Sequence, residues 1–366
     1  MQKYSPEDIR WMRRAVELAR LSEGYTRPNP PVGAVVVKDG RLIGEGRHKY
    51  AGGDHAEVAA LDSCTESPEG AVMYVTLEPC STYGRTPPCT ERIIRDKLRR
   101  VVIACEDCYE HHCGEGHRIL KQAGLDVTSG VCAEDACEIA APFFKHVDTG
   151  MPFVTLKLAM TLDGCIADYT GSSQWITGGD SRSEVQRLRR RADAVMVGAR
   201  TVIADDPSLL CRSGGGENIM RVILDSDGVV PLSSKVLNDA AVERTIIFTS
   251  VGTPVPVIED WRKKGCSVEL MQPDVDGFPA IKDVFEKLGT MDMLHILCEG
   301  GGGVAAALHT AGLIDEYVLF YAPALMNDLS AVRGFAGRTG CTLQNMDRLT
   351  VRDVRRFGDD ICVRLC

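Results

Sequence analysis

The chain has 366 residues, which is enough for two domains that each bury an apolar core. Apolar residues make up 44% and charged residues 25% of the sequence, a globular composition that excludes a disordered tail or a minimal disulfide scaffold. The net charge of −9 argues against a broad basic surface for nucleic acid.

Fifteen cysteines is a high count, but the number is odd and the first ten residues lack the apolar segment of a secretion signal. No run approaches 18 consecutive apolar residues, so we expect no membrane span. We therefore expect a cytoplasmic protein whose thiols are buried, bind metal or react, and do not form disulfides.

The first half of the chain predicts a layered α/β domain. Ser5, followed by a proline and two acids, is typical of a helix start, and apolar residues then recur at helical spacing. An Asp-Gly turn at residues 39–40 predicts a hairpin of two strands. Beyond it helices and short apolar strands alternate. The predicted helices are 55–63, 90–97 and 117–123, and the predicted strands are 71–77, 100–105 and 125–128.

Turn residues at 147–152 interrupt this pattern, and we place a domain boundary there, giving domains 1–147 and 150–366. The second half alternates again and also predicts an α/β domain. Its predicted strands are 153–158, 194–197, 221–225, 245–249, 293–298 and 316–321, and its predicted helices are 183–191, 280–288 and 304–310. The glycine-rich residues 213–218 predict a surface loop.

The clearest chemical signal is a set of three potential metal ligands. His55, Cys80 and Cys89 offer one imidazole and two thiolates, which leaves the fourth position of a tetrahedral zinc ion for water. Glu57 is placed to move protons without binding the metal. Zinc nucleobase deaminases use these groups, although their two cysteines are usually separated by two residues and here by eight. The alternatives are a closed structural zinc site or buried thiols.

Four motifs of the first half resemble one family. The segments PNPPVGAVVV (28–37), HAEV (55–58), TLEPCS (76–81) and GRTPPC (84–89) are similar to the deaminase half of the bifunctional riboflavin-biosynthesis deaminase/reductases. The resemblance implies that Asn29, His48 and Arg85 contact the substrate, a diaminopyrimidinone that carries a phosphoribosylamino group.

One loop departs from the family pattern. The family usually has an Asp-Pro-Asn-Pro loop after the strand at 100–105, whereas this chain reads EDCYEHHC at 106–113. A second metal site formed by Cys105, Cys108, Cys113 and His117 is one interpretation, but the irregular spacing favours solvated or core residues.

A run of four glycines, residues 300–303, follows an apolar strand and opens a predicted helix. Such a run suits phosphate binding, and by itself it also suits a tight strand-to-helix turn. The segments KLAMTLDG (157–164), GSSQWIT (171–177), VGARTV (197–202) and ADDPSL (204–209) resemble the reductase half of the same family.

The reductase resemblance implies a dihydrofolate-reductase-like fold that binds NADPH and transfers hydride to C1 of the opened ribose, giving a ribityl chain. The implied cofactor residues are Ala159, Trp175, Thr201, Asp205, Ser226, Gly301, Gly302 and Gly303. The implied substrate residues are Ser173, Arg189, Leu209, Arg212 and Glu299.

The sequence therefore predicts two three-layer α/β domains, an N-terminal cytidine-deaminase-like domain and a C-terminal dihydrofolate-reductase-like domain. We expect a cytoplasmic homo-oligomeric enzyme with Zn²⁺ and NADPH as cofactors and a phosphorylated pyrimidine nucleotide as substrate, without nucleic-acid or membrane partners. One alternative is a zinc deaminase of another nucleobase or of tRNA fused to an unrelated reductase. Another is a nucleotide-sensing regulator without turnover, which would have no need of Glu57.

Overall fold

The computed structural model describes residues 4–83, 87–106, 114–212, 219–273, 280–337 and 342–366. It divides the chain into two compact units, Met1–Gly150 and Met151–Cys366. Within the described residues, no helix is both long and apolar enough to cross a membrane. Arg85, the residues 107–113 and the glycine-rich residues 213–218 lie outside the described part of the chain.

The first unit is built on a five-stranded sheet with the order β2-β1-β3-β4-β5. Its strands are β1 (Gly33–Lys38), β2 (Arg41–Arg47), β3 (Val72–Leu77), β4 (Arg100–Cys105) and β5 (Asp126–Ser129). The first two form the predicted hairpin around the Asp-Gly turn, and β3, β4 and β5 run parallel to one another. Because parallel strands need crossover connections, helices cover both faces of this sheet.

The helices of the first unit are α1 (Pro6–Arg20), α2 (Ala56–Asp62), α3 (Cys89–Arg95), α4 (Glu115–Gln122) and α5 (Ala133–Thr149). The side chain of Ser5 accepts a hydrogen bond from the backbone N–H of Asp8 at 3.0 Å, so the predicted cap of α1 is present. The apolar faces of α1 and α5 pack on one side of the sheet, and α2, α3 and α4 pack on the other. The unit therefore has three layers.

The second unit is built on a nine-stranded sheet with the order β11-β10-β9-β8-β12-β6-β13-β16-β15. The first seven of these strands are parallel, and β16 and β15 continue the sheet in antiparallel fashion. The strands of the nine-stranded sheet are β6 (Phe153–Thr161), β8 (Ala194–Gly198), β9 (Met220–Asp225), β10 (Thr245–Ser250), β11 (Ser267–Met271), β12 (His295–Cys298), β13 (Glu316–Ala322), β15 (Val351–Phe357) and β16 (Asp360–Leu365). A separate small pairing joins β7 (Cys165–Ala167) to β14 (Val332–Arg333).

Within the described residues, five helices cover the two faces of the large sheet. They are α6 (Gly179–Arg191), α7 (Ala199–Asp205), α8 (Val255–Lys264), α9 (Ile281–Thr290) and α10 (Gly302–Thr310). One apolar core lies under α6, α7 and α8, and a second lies under α9 and α10. The carboxyl ends of the parallel strands meet at one edge of the sheet, where ligands bind in open α/β folds.

One expectation about the cysteines is wrong. Cys105 at the end of β4 and Cys137 in α5 form a disulfide, with their Cα atoms 6.0 Å apart. A disulfide can span that separation. The two cysteines come this close because β4 and α5 pack against each other. The proposed second metal site therefore loses Cys105 as a ligand, and its Cys108 and Cys113 lie outside the described residues.

Candidate active sites

Three side chains of the first unit converge as metal ligands would. His55 is the residue before α2, Cys80 follows β3 by three residues, and Cys89 is the first residue of α3. The Nδ1 atom of His55 lies 3.4 Å from the sulfur of Cys80 and 3.3 Å from that of Cys89. All three ligand atoms lie within 4.8 Å of one another.

This donor set fits zinc. A tetrahedral zinc ion with ordinary Zn–S and Zn–N bonds holds nitrogen and sulfur ligands about 3.6 Å apart, close to the separations found here. The pKa of Cys80 is lowered to about 4, because the Cys89 thiol and the His55 ring hydrogen-bond to its sulfur. The backbone N–H of Cys89 also donates to that sulfur at 3.3 Å, which further favours a thiolate.

Glu57 lies in the first turn of α2, two residues beyond the histidine ligand, and is 4% exposed. Burial, followed by the negative charge of Cys80, raises the pKa of its carboxyl to about 7. A carboxyl group that titrates near neutrality can both accept and release a proton at the pH of the cell. The carboxyl of Glu57 interacts with Cys80, His55 and Cys89, and its role as proton carrier stays a prediction.

Two of the predicted substrate residues of this unit are joined. The Nε2 atom of His48 lies 3.0 Å from the amide nitrogen of Asn29, and its Nδ1 atom lies 2.9 Å from the backbone carbonyl of Asp54. A carbonyl can only accept, so Nδ1 carries the ring proton and Nε2 accepts from the Asn29 amide. The carbonyl oxygen of Asn29 is thereby turned away from the imidazole. Burial lowers the pKa of His48, which keeps this ring neutral.

His48 also contacts the ligand histidine. The two rings meet edge to face, with centroids 5.5 Å apart. The structure therefore links Asn29 to His48 and His48 to His55. Arg85, the third implied substrate residue, lies outside the described residues.

In the second unit, the glycine run forms the turn between β12 and α10. The hydroxyl of Thr201 in α7 accepts a hydrogen bond from the backbone N–H of Gly301 at 2.9 Å. Gly300 has a φ of 94°, and a Cβ atom on Gly302 would stand 2.2 Å from the carbonyl oxygen of Arg333. These two glycines are required by the backbone itself, whereas a Cβ on Gly303 would meet no atom within 4 Å.

A charged cluster lies next to this turn. The guanidinium of Arg189 donates to both carboxylate oxygens of Glu299, at 2.6 and 2.9 Å, and to the carbonyl of Leu210 at 2.9 Å. Both side chains of this ion pair are about one-tenth exposed. Burial raises the pKa of Glu299, but the charge and hydrogen bonds of Arg189 outweigh it and hold the pKa below the usual range. Lys157 and Arg212 lower it further.

Lys157 is a residue to which the sequence analysis gave no role. It lies in β6, and its ammonium is buried near Glu299, Arg189 and Asp205. Burial lowers the pKa of Lys157, while the charge of Glu299 opposes that shift. A lysine in the middle of a strand whose other residues are apolar or threonine is the signal that could have identified it.

The structure places the remaining predicted residues of the second unit as follows. The hydroxyl of Ser173 donates to the carboxylate of Asp205 at 2.6 Å, so these two lie together. The side chain of Leu209 is buried in a core, which leaves its backbone for contact. Trp175 is exposed and packs against the guanidinium of Arg182. Ala159 lies in β6, Ser226 directly follows β9, and Arg212 is exposed beyond α7.

The fold and the two sites define a class of protein in which an N-terminal unit of the zinc-deaminase type is followed by a reductase-type α/β unit. Residues 5–105 match the family described as "Cytidine and deoxycytidylate deaminase zinc-binding region". Residues 152–363 match the family described as "RibD C-terminal domain".

Similarity extends over nearly the whole chain. It is 40% identical to the riboflavin biosynthesis protein RibD of Aquifex aeolicus, over 97% of each chain, and 36% identical to that of Escherichia coli, over 98% of this chain and 99% of the relative. The solved structure of Acinetobacter baumannii RibD superposes with a TM-score of 0.85 at 38% identity, and 98% of each chain is covered. A deaminase/reductase from Thermotoga maritima gives a TM-score of 0.86 at 36% identity with the same coverage.

The chain belongs to the RibD family of riboflavin biosynthesis proteins. It is an enzyme with a deaminase half and a reductase half. The predicted family and the two-domain α/β architecture are confirmed. The roles of the individual site residues stay predictions.

Proposed function

We propose that the chain catalyses two successive reactions on one nucleotide. The first is hydrolytic deamination of 2,5-diamino-6-(5-phosphoribosylamino)pyrimidin-4(3H)-one, and the second is NADPH-dependent reduction of the ribosyl group to ribityl. The observation that carries this proposal is the donor set of His55, Cys80 and Cys89 beside a buried Glu57 in a chain whose other half matches the RibD reductase domain.

In the deaminase half, His55, Cys80 and Cys89 would hold Zn²⁺, which would supply Lewis-acid activation of water. Glu57 takes a proton from the attacking water and gives one to the departing amino group, so that ammonia leaves and a carbonyl forms. The neutral His48 orients Asn29, whose outward carbonyl accepts a hydrogen bond from an N–H group of the pyrimidine. His48 is in this sense a positioning residue for Asn29.

The reductase half would hold NADPH, which would supply hydride for C1 of the ribose. Opening of the ribose breaks the bond from C1 to the ring oxygen, and that oxygen takes a proton. Ala159, Trp175, Thr201, Asp205, Ser226 and the glycines 301–303 border the cofactor, and Ser173, Arg189, Leu209, Arg212 and Glu299 border the substrate. An arginine has five N–H donors, and Glu299 and Leu210 use three of those on Arg189. We assign the substrate phosphate chiefly to the exposed Arg212, with the two remaining donors of Arg189 at its side.

The test is to supply the diaminopyrimidinone nucleotide with and without NADPH and to identify the products by mass. We expect the deaminated nucleotide without NADPH and the deaminated ribityl product with it. Deamination of cytidine or of tRNA in preference to this nucleotide would favour the alternative deaminase. Binding of the nucleotide without turnover in the zinc-loaded protein would favour a sensor.

We propose further that the enzyme acts in the cytoplasm as a homo-oligomer, without a nucleic-acid or membrane partner. Val351, Val354 and Ile361 on the β15–β16 hairpin are exposed apolar side chains, a composition that suits contact with a second copy. The net charge of −9 disfavours nucleic acid. Light scattering of the wild type and of Val354→Lys tests the assembly, and a monomeric wild type would refute it.

A further inference from the structure

We propose that Arg200 recognises the 2′-phosphate of NADPH and so sets the preference of the reductase half for NADPH over NADH. This inference rests on the proposed function, which places the dinucleotide beside Thr201, Ser226 and the glycine turn. NADPH differs from NADH only by the phosphate on the 2′ oxygen of the adenosine ribose. In dinucleotide sites an arginine at that oxygen accommodates the phosphate, whereas an acid binds the unmodified hydroxyl.

The order of the strands places the candidate groups along one edge of the sheet. β12, β8, β9 and β10 are neighbours and parallel, so their carboxyl ends lie side by side. The glycine turn follows β12, Thr201 lies in the helix after β8, and Ser226 follows β9. A dinucleotide with its diphosphate at the glycine turn and its adenosine ribose at Ser226 passes over the end of β8, where Arg200 lies in the first turn of α7.

The segments around the adenosine end offer no other cation. Residues 226–234 after β9 and residues 250–261 after β10 contain no lysine or arginine. Asp227 next to Ser226 is exposed, and a phosphate dianion there would meet its negative charge. The first basic residue after β9 is Lys235, whose ammonium lies 3.3 Å from the carboxylate of Asp206. An unbalanced acid beside Ser226 requires a nearby positive charge if the 2′-phosphate is to bind.

Arg200 lies where it can reach the 2′-phosphate, and its side chain is available for binding. It is exposed, and within the described part of the chain its guanidinium forms no hydrogen bond or ion pair. Ala199 and Val202 of the same helix are buried in the core. At 100° per residue, these two buried positions put Arg200 and Thr201 on opposite flanks of α7.

The flank of Thr201 is known from its hydrogen bond to the glycine turn after β12. α7 packs against β8 and β9, and so the opposite flank, which carries Arg200, faces the β9 side. Ser226 and Asp227 lie on that side. A planar guanidinium there can form paired hydrogen bonds to a phosphate, which a lysine cannot reproduce.

The experiment compares Arg200→Gln and Arg200→Lys with the wild type. The matched control is Arg244→Gln, since Arg244 directly precedes β10 and therefore lies at the amino end of the sheet, away from the cofactor edge. Calorimetric titrations use two probes, adenosine 2′,5′-bisphosphate and adenosine 5′-diphosphate, which differ in the 2′-phosphate. Steady-state kinetics with NADPH and NADH give the second readout.

We expect Arg200→Gln to bind adenosine 2′,5′-bisphosphate at least ~10-fold more weakly, with Arg200→Lys intermediate. Binding of adenosine 5′-diphosphate should stay within about twofold of the wild type, and kcat/KM should fall for NADPH but not for NADH. Equal losses for both probes, or an effect no larger than that of Arg244→Gln, would overturn the assignment. A wild type that reduces no substrate with either cofactor would instead refute the proposed function, and the titrations would still decide the role of Arg200.

Discussion

Arg189 and Arg212 are both proposed to bind the reductase substrate, yet the structure predicts different consequences for their removal. The Arg189 side chain is 9% exposed and lies in a bidentate pair with Glu299. Arg189→Ala leaves a buried carboxylate without its partner, and breaking such a pair costs about 3 to 5 kcal/mol of unfolding free energy. For a domain of this size, that corresponds to a fall of about 6 to 20 °C in Tm.

Arg212 is exposed, and its side chain contributes charge near Glu299 while its backbone N–H donates to Gln186 at 2.8 Å. Arg212→Ala should therefore leave Tm nearly unchanged and raise the substrate KM at least ~10-fold, as expected for the loss of a charged hydrogen bond to phosphate. The substrate KM of Arg212→Lys should lie between those of the wild type and Arg212→Ala, because lysine keeps the charge but lacks the planar guanidinium.

Thermal unfolding and reductase kinetics with the deaminated substrate separate these effects. The kinetics are repeated with the same substrate after its phosphate is removed. If Arg212→Ala and the wild type lost the same factor on dephosphorylation, the phosphate assignment would be wrong. An Arg189→Ala variant with the Tm of the wild type would show that the pair with Glu299 does not support the fold. The assignment of a structural role to Arg189 and of phosphate binding to Arg212 would then be reversed.

Four further outcomes are expected. Glu57→Gln should retain zinc but lose deamination by at least ~100-fold, with near-normal reduction of the deaminated substrate, because only proton transfer is removed; loss of both activities would contradict separable halves. Cys89→Ser should lower the zinc content measured by metal analysis below about one per chain. Burial depresses the pKa of His295 to about 3, so the unfolded chain binds a proton at a higher pH than the folded chain does. The unfolding free energy, measured in urea, should therefore fall as the pH drops below about 6.5, by up to about 1.4 kcal/mol per pH unit. In His295→Gln this pH dependence should be weaker. Cys137→Ser should lower the stability of the oxidised protein by about 3 to 4 kcal/mol, because the bridge closes a loop of 32 residues, and an equal stability under reducing conditions is the control.

The periodic pattern predicted most helices and strands that face a core, but it missed elements with a weak apolar signal. No element was predicted for residues 132–147, where the structure has α5. Pro142 lies inside that helix, and a proline normally marks a helix end since it cannot donate to the preceding turn. The strand β15 was missed because it is an exposed edge strand whose residues are mostly charged.

More of the deaminase site than of the reductase site could be predicted from the sequence, for a physical reason. Zinc ligands are defined by residue type, and His55, Cys80 and Cys89 lie at element ends that sequence patterns mark well. The disulfide between Cys105 and Cys137 could not be predicted, because the spacing of two cysteines says nothing of whether a strand and a helix bring them together.

The reductase site depends instead on which strands become neighbours. Lys157 lies in β6, Arg189 in α6 and Glu299 directly after β12, and they meet only because β12 inserts between β8 and β6 in the sheet. Nothing in the local pattern of β12 specifies that insertion, since the neighbouring parallel strands β8 and β9 also supply buried apolar residues to both cores. The charge balance of the site follows from this order, in which the buried carboxylate of Glu299 is held ionised by Arg189 and offsets the burial cost of Lys157. Replacing any one of these three groups therefore alters the electrostatic environment of the other two, and their contributions to reduction should be strongly non-additive in double-mutant cycles.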